Sequence, residues 1–409
     1  MAAPVGTNVR LQDVVPHVAP VALSRASTNL VPPVAFEFLR FCCIADTFGT
    51  GIENWAQEKI IAHWDTLTRE VVFARTPPYD QGLQKGFYSD DTEMSLGLLI
   101  ALQKQKILTP DFVAQCFFDV YEAFKRENGG TPRGGYGTFK KIAKLPQNEQ
   151  LEALRKFRHS QENFRNGLPG NGSGMRILPV LFYAPNAEVL LNNVIAQTIS
   201  THNHAFAVLT NLVYVDVASA LLEKRIAFDQ VLLYASDFLQ EKRAFHHVLP
   251  TIGECLNCLS RQSAQYQITI YGDAAIVLEE FKTRFSILNT LSAPACDVGI
   301  NVGEILPVAT GSFTGGKIGL LGLAHLTLYA TLYCWKWTMV DFERESYFSL
   351  MKRCISFGGD IDTLLAHVIP VSFLRLRDEK GGVYLPDWLV QGCVEINKLE
   401  DRLAYHLVN

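Results

Sequence analysis

The sequence has little that would direct the chain to a polyanion, a membrane or an oxidising compartment. Its 37 Lys and Arg stand against 41 Asp and Glu, a formal charge of −4 over 409 residues. Without a positive excess or a long basic run there is no field to draw in nucleic acid. The nine cysteines, Cys42, Cys43, Cys116, Cys255, Cys258, Cys296, Cys334, Cys354 and Cys393, are odd in number and lack framework spacing. That excludes a disulfide scaffold and reads as free thiols in a reducing compartment. Cys255 and Cys258 form a Cys-x-x-Cys, but no second pair or sequence-adjacent His completes a zinc set, and they read as helical core thiols. Met1 to Leu23 lacks the charged start and unbroken apolar block of a secretory signal, so the expected location is the cytoplasm. Long apolar runs are nearly absent too. Ile318 to Trp335 carries no Asp, Glu, Lys or Arg, but it stands alone and contains His325, so it reads as a buried core helix and no membrane is expected.

Strand patterns are as scarce. Only Gln267 to Tyr271 alternates, and it has no obvious partner. What is present is helical period: apolar residues recur three and four apart over 93–103, 110–125, 189–200, 205–222, 274–291 and 344–356. With 48% hydrophobic residues the chain can bury a large core, and the expected fold class is all-α. Residues 1–33, rich in Pro, Val and Ala and ending in Val31-Pro32-Pro33, read as an N-terminal extended arm before a domain at 34–409. The polar stretch Lys144 to Arg165 reads as a surface helix beside glycine-rich segments.

Four motifs carry chemistry. In Tyr88-Ser89-Asp90-Asp91-Thr92-Glu93-Met94, adjacent carboxylates flanked by hydroxyls precede an apolar helix. Taken alone this is equally a helix cap, since Ser and Asp are favoured at helix starts. Phe357-Gly358-Gly359-Asp360-Ile361-Asp362-Thr363 repeats the pattern behind a Gly pair that permits close approach. Four carboxylates with Ser89 and Thr363 form an all-oxygen set suited to hard cations such as Mg²⁺ or Mn²⁺, and the EF-hand pattern of a calcium sensor is missing. Gathering four negative charges without cations would raise several of their pKa values, so two divalent ions are the natural complement. Gly170-Asn171-Gly172-Ser173-Gly174-Met175-Arg176, with Arg133-Gly134-Gly135-Tyr136-Gly137-Thr138 upstream, offers backbone N–H groups to phosphate oxygens, although neither fits the Walker or dinucleotide pattern and either could be a plain turn. Thr201-His202-Asn203-His204 lies between two predicted helices, where a His serves either packing and capping or a hydrogen bond to substrate.

In this order the motifs resemble the ADP-ribosylglycohydrolase family. Ala45-Asp46-Thr47-Phe48-Gly49 with Glu53 is similar to its Gly-Asp-x-x-Gly…Glu opening, Ser89-Asp90-Asp91-Thr92 to its Thr-Asp-Asp-Thr, and Gly359-Asp360-Ile361-Asp362-Thr363 to its Gly-Asp-x-Asp-Thr. The Gly170 to Arg176 loop is similar to its Gly-Asn-Gly…Met-Arg. The resemblance implies a compact orthogonal multi-helix bundle with a central binuclear metal cleft. It implies that Ser89, Asp90, Asp91, Asp360, Asp362 and Thr363 hold two Mg²⁺, with Mn²⁺ the alternative, and that Glu53, Asp91 and Asp362 act in catalysis. Gly135, Gly137, Gly170, Asn171, Gly172 and Ser173 would face the diphosphate and riboses, His202 a ribose or phosphate oxygen, and Tyr136 or Phe164 would stack on adenine. Two departures stand out: Ser89 replaces Thr, and the bulky Val368-Ile369-Pro370-Val371-Ser372-Phe373 replaces the family's small residues, so packing behind the site must differ.

The activity implied is removal of ADP-ribose from a modified protein side chain, arginine or serine linkage, with an ADP-ribosylated protein as partner and ADP-ribose as product. Two rival readings are a catalytically silent ADP-ribose binder and an antagonist of an ADP-ribosylating toxin that docks through the arm.

Overall fold

The three-and-four spacing of apolar residues becomes helix along most of the computed structural model, which describes residues 8–10, 32–64, 86–123, 141–142, 144–159, 169–242, 247–292, 302–306, 319–344 and 347–408. Strand β1 is Asn8–Arg10, followed by helices α1 Pro33–Thr50, α2 Gln57–Ala62, α3 Asp90–Lys104, α4 Pro110–Ala123 and α5 Gln147–His159. Next come α6 Ala187–Ile199, α7 Ala205–Leu222, α8 Val231–Leu239, α9 Ile252–Tyr266, α10 Ala274–Thr290 and α11 Val302–Ile305. The chain closes with α12 Ala324–Lys336, α13 Thr338–Arg344, α14 Tyr347–Ile355, α15 Ile361–Lys380, strand β2 Tyr384–Pro386, α16 Asp387–Gly392 and α17 Lys398–Val408. The fold is all-α, as the periodicity indicates.

Helix limits follow local chemistry. α3 opens behind Ser89, whose hydroxyl accepts from Asp91 N, α6 behind Asn186 and α10 behind Asp273, each with a side-chain cap. α9 has a full capping box between Thr251 and Glu254. The alternating stretch at Gln267 does not become a strand. Gln267 ends α9 in the left-handed conformation, and the segment contributes one bridge, Tyr271 to His204. The polar stretch does form a surface helix over α5, where Leu154 is buried and most other residues are exposed. The apolar stretch at 318–335 splits: α12 begins only at Ala324, because Leu320 and Leu323 are used in bridges to Gly359 and Gly170. Among the described residues the helix long and apolar enough to cross a membrane is instead α7, and 89% of that window is buried inside the protein.

The core is organised around α1 and α15, the most extensively packed helix pair. Phe41 of α1 meets Phe373 of α15 edge-on at 5.5 Å. At the site end the backbones themselves touch: a Cβ on Gly49 would lie 2.5 Å from Asp362 Cα, so a side chain there would force the helices apart. α15 runs through Pro370. In the turn before that proline, His367 O receives Tyr214 OH at 2.8 Å and Val368 O receives Trp335 Nε1 at 3.2 Å. Pro370 withholds its N–H from the carbonyl of Ala366, and the next two carbonyls of that turn each take a buried side-chain donor; the bulky Val368 to Phe373 run fills the space between α15, α1 and α12. Of the arm, residues 8–10 pair antiparallel with β2, Val9 opposite Leu385. This short strap ties the start of the chain to the segment before α16.

His367 is fully buried on α15 and stacks on Tyr214 at 4.3 Å. Burial pushes its pKa from 6.5 down to about 3. On α12, burial and then His204 push His325 down to about 4. Between pH 6.5 and these values the unfolded chain binds protons that the folded chain refuses, so this part of the stability is present above pH 6.5 and lost as pH falls. Replacing His367 with Phe removes one such site. The stability advantage of wild type over His367→Phe, read from urea unfolding, should shrink by about 2 kcal/mol between pH 7 and pH 5. An advantage equal at both pH values would contradict the assignment.

Candidate functional site

The acidic motifs meet because one carboxylate ties their helices together. Asp46, near the end of α1 and fully buried, accepts from Ser89 N at 2.9 Å, Thr92 N at 3.0 Å and Thr92 Oγ1 at 2.7 Å. Thr50 Oγ1, one turn along α1, adds a fourth donor at 2.7 Å. Asp46 thereby serves the unpaired N–H groups at the start of α3 as a capping anion from another helix. Asp90 and Asp91 follow immediately, 8% and 3% exposed, and are carried inward with the helix start. The Ser89 hydroxyl bonds Asp91 Oδ2 at 3.2 Å as well as capping the helix.

The second acidic motif is aimed by its glycines. Gly358 and Gly359 have φ of 67° and 78°, and a Cβ on Gly359 would strike Leu320 O at 2.2 Å. Gly359 N donates to Trp55 O at 2.9 Å, Asn54 N to Gly359 O at 2.7 Å, and Asp360 N to Leu320 O at 2.9 Å. The turn is thus stitched on one side to the residues after Glu53 and on the other to the strand-like segment before α12. Glu53, Asp360 and Asp362 come together: each offers a carboxylate oxygen, all within 4.8 Å of one another. Among the described residues this is the group of His, Cys, Asp and Glu side chains close enough to share a cation. Thr363 follows at the start of α15, 4% exposed, its N–H on Asp362 Oδ1 at 3.0 Å.

Burial first, then the charges of Asp46, Asp90 and Asp360, hold the Asp91 carboxyl well above the usual carboxylate range. Asp362 is raised by burial, then by Glu53, Asp91 and Asp360. Asp91 Oδ1 is buried and has no hydrogen-bond partner among the described residues. An all-oxygen donor set, mutual repulsion and an orphaned carboxylate oxygen are together the complement of a hard divalent cation.

The glycine loop lies against this cluster. Gly170 bridges to Leu323, and Asn171 N donates to Gly322 O at 3.2 Å. The Asn171 amide donates to Thr327 Oγ1 at 3.0 Å and to Asp360 Oδ2 at 2.9 Å, so it orients an acidic residue from within the protein. Ser173 takes a place different from the one the resemblance implies for it: it is fully buried, its hydroxyl receiving Asn211 Nδ2 at 3.0 Å and its carbonyl Gln197 Nε2 at 2.9 Å. It supports the loop from behind. His202 does lie at the loop. A Cβ on Gly170 would come 3.1 Å from its Nε2, and one on Gly172 3.1 Å from its Cε1. Its Nδ1 lies 2.8 Å from Thr201 Oγ1, which also accepts from Arg176. Thr201 can then give its own hydrogen to Nδ1, an arrangement that puts the ring proton on Nε2. Burial and the Arg176 charge push the His202 pKa down to about 3, so the ring is neutral. Gly135, Tyr136, Gly137 and Phe164 lie outside the described residues.

These features define an all-helical protein with a buried acidic centre built where three segments distant in sequence converge. The family model of the ADP-ribosylglycohydrolases matches residues 42–367, and the chain belongs to that family. Asp46 through Asp362 all fall inside the match, and most of α15 with all of β2, α16 and α17 follows it. Membership supports glycohydrolase activity on ADP-ribosylated substrates in general. A solved structure described as an ADP-ribosylglycohydrolase-related protein complex is similar with a TM-score of 0.49 at 15% identity, covering 91% of this chain and 96% of that one. No curated protein matches the sequence.

The role of Asp46 has a direct test. Asp46→Asn keeps the shape but turns an amide towards the N–H groups of Ser89 and Thr92, and should cost about 2–4 kcal/mol in denaturant unfolding. Thr50→Val, which removes a single donor, should cost about 1 kcal/mol. Equal losses would mean that Asp46 does not anchor α3.

Proposed function

We propose that this chain hydrolyses the bond between C1″ of ADP-ribose and a modified protein side chain, with arginine or serine the favoured linkages, releasing free ADP-ribose. The observation that carries the reading is the convergence of Glu53, Asp360 and Asp362 within 4.8 Å, next to the buried, unpartnered Asp91 Oδ1. We assign two Mg²⁺, or Mn²⁺, to Ser89, Asp90, Asp91, Asp360, Asp362 and Thr363, with Glu53 at their edge. When bound, such ions polarise the vicinal ribose hydroxyls and lower the pKa of a water.

The chain's own groups supply the rest. Glu53, half-buried and beside Asp360 and Asp362, takes the proton of the attacking water, and Asp91 is the alternative base. The gathered carboxylates favour the positive charge that develops on the ribose as the bond to the acceptor breaks. Asn171 keeps the Asp360 carboxylate in one orientation through its 2.9 Å bond. Neutral His202, with a proton on Nε2, donates to a ribose or phosphate oxygen above Gly170 and Gly172. The free state of the eight described cysteines supports a reducing cytoplasmic setting. Pairing of residues 8–10 with β2 supports a strap role for that part of the arm over a toxin-docking one.

The test is incubation with Mg²⁺ and two proteins, one ADP-ribosylated on arginine and one on serine, with released ADP-ribose followed by mass spectrometry. Release from at least one is expected, and Asp91→Ala and Asp362→Ala should each lower it by about 10²–10⁴-fold while weakening metal binding. A variant that no longer binds metal yet keeps full release would overturn the reading.

A further inference from the structure

The turn that carries Glu53 contains a residue in a backbone conformation that side chains disfavour. Asn54 has φ of 63°, in the left-handed region, which Asn enters more readily than most residues because its short amide can bond locally. Its N–H donates to Gly359 O at 2.7 Å. Its side-chain Nδ2 donates to Glu53 Oε1 at 2.9 Å. The next residue completes the stitch, Trp55 O receiving Gly359 N at 2.9 Å.

Glycine would meet the backbone requirement without strain, as Gly358 and Gly359 do across the same contact. What asparagine adds is the amide, and that amide goes to the neighbouring carboxylate. An asparagine serving only the turn would bond its own backbone two residues on, as in an Asx turn. With Oε1 held by a neutral donor, the Glu53 carboxylate is restricted in rotation, and its other oxygen is presented at a defined place relative to Asp360 and Asp362, whose ligand atoms lie within 4.8 Å of its own. The same residue fixes the turn to Gly359, which directly precedes Asp360. Backbone and side chain of Asn54 thus couple the carboxylate from the end of α1 to the pair at the start of α15.

We infer that Asn54 is a positioning residue: its side-chain amide fixes the Glu53 carboxylate against Asp360 and Asp362 and so sets both the divalent-cation affinity and the turnover of the site. This rests on the metal-dependent hydrolysis proposed above. Asn54→Gly keeps the left-handed turn and its backbone bond and removes only the amide. Asn54→Asp keeps the shape but offers Glu53 no donor. In the full chain, Mg²⁺ affinity would be measured by titration calorimetry without substrate, and kcat and KM on the ADP-ribosylated protein that wild type accepts. Each variant is expected to lower Mg²⁺ affinity and kcat by about 10- to 100-fold, with KM changed less than about threefold. The melting temperature of Asn54→Gly should stay within about 3 °C of wild type, which separates positioning from folding. Asn54→Gly with both affinity and kcat within about twofold of wild type would overturn the inference, since a positioning partner of this kind is worth more. A wild type that neither binds Mg²⁺ nor releases ADP-ribose would sink the parent reading and this one together.

Discussion

The constraint on which the rest depends is like charge gathered at the starts of α3 and α15, both held against α1, which meets α15 backbone to backbone. Gly49 lets α1 come against Asp362, and Asp46, a turn earlier, holds the start of α3 through two backbone N–H groups. The carboxylates are brought inward by main-chain geometry rather than by their own side-chain contacts. A helix N-terminus offsets part of the repulsion, because its positive end favours anions, but the effect is worth only about 0.3–2 kcal/mol per site. Burial first, and then the neighbouring carboxylates, outweigh that gain, which is why Asp91 and Asp362 are raised well above the usual carboxylate range. Such a centre lowers the stability of the isolated chain.

Much of this was legible in the sequence, and unevenly so. Helices show through their period, so the limits of α3, α6, α7 and α10 fall within a few residues of the apolar patterns. The two acidic motifs were visible because each combines carboxylates with a helix start, and the Gly pair before Asp360 announced a tight turn. The anchoring role of Asp46 was not visible. Nothing local says that its partners lie at Ser89 and Thr92, more than forty residues away. The place of Glu53 in the tightest carboxylate group also depends on a tertiary stitch, Asn54 to Gly359, that no window of sequence contains.

The glycine loop shows the same limit from the other side. Read as sequence, Asn171 and Ser173 are polar residues among glycines and suit a phosphate cradle. In the fold, the Asn171 amide is committed to Thr327 and Asp360 and Ser173 to Asn211. The loop's polar side chains build the wall of the acidic centre, and its glycines leave the surface against which His202 rests. Polar residues near a site divide between those that hold it and those that touch a ligand, and only the tertiary hydrogen bonds separate the two.

A neutral His202 beside an acidic centre also sets how the site discriminates charge. A protonated imidazole would be drawn to the carboxylates and would compete with a cation for them. Burial of the ring, and then the charge of Arg176, itself fully buried and bonded to Thr201 and Gln197, prevent this by lowering the pKa of the ring to about 3. The donor on His202 is therefore a neutral one whose strength does not change across the physiological pH range. The charge state of the pocket is therefore left to the gathered carboxylates.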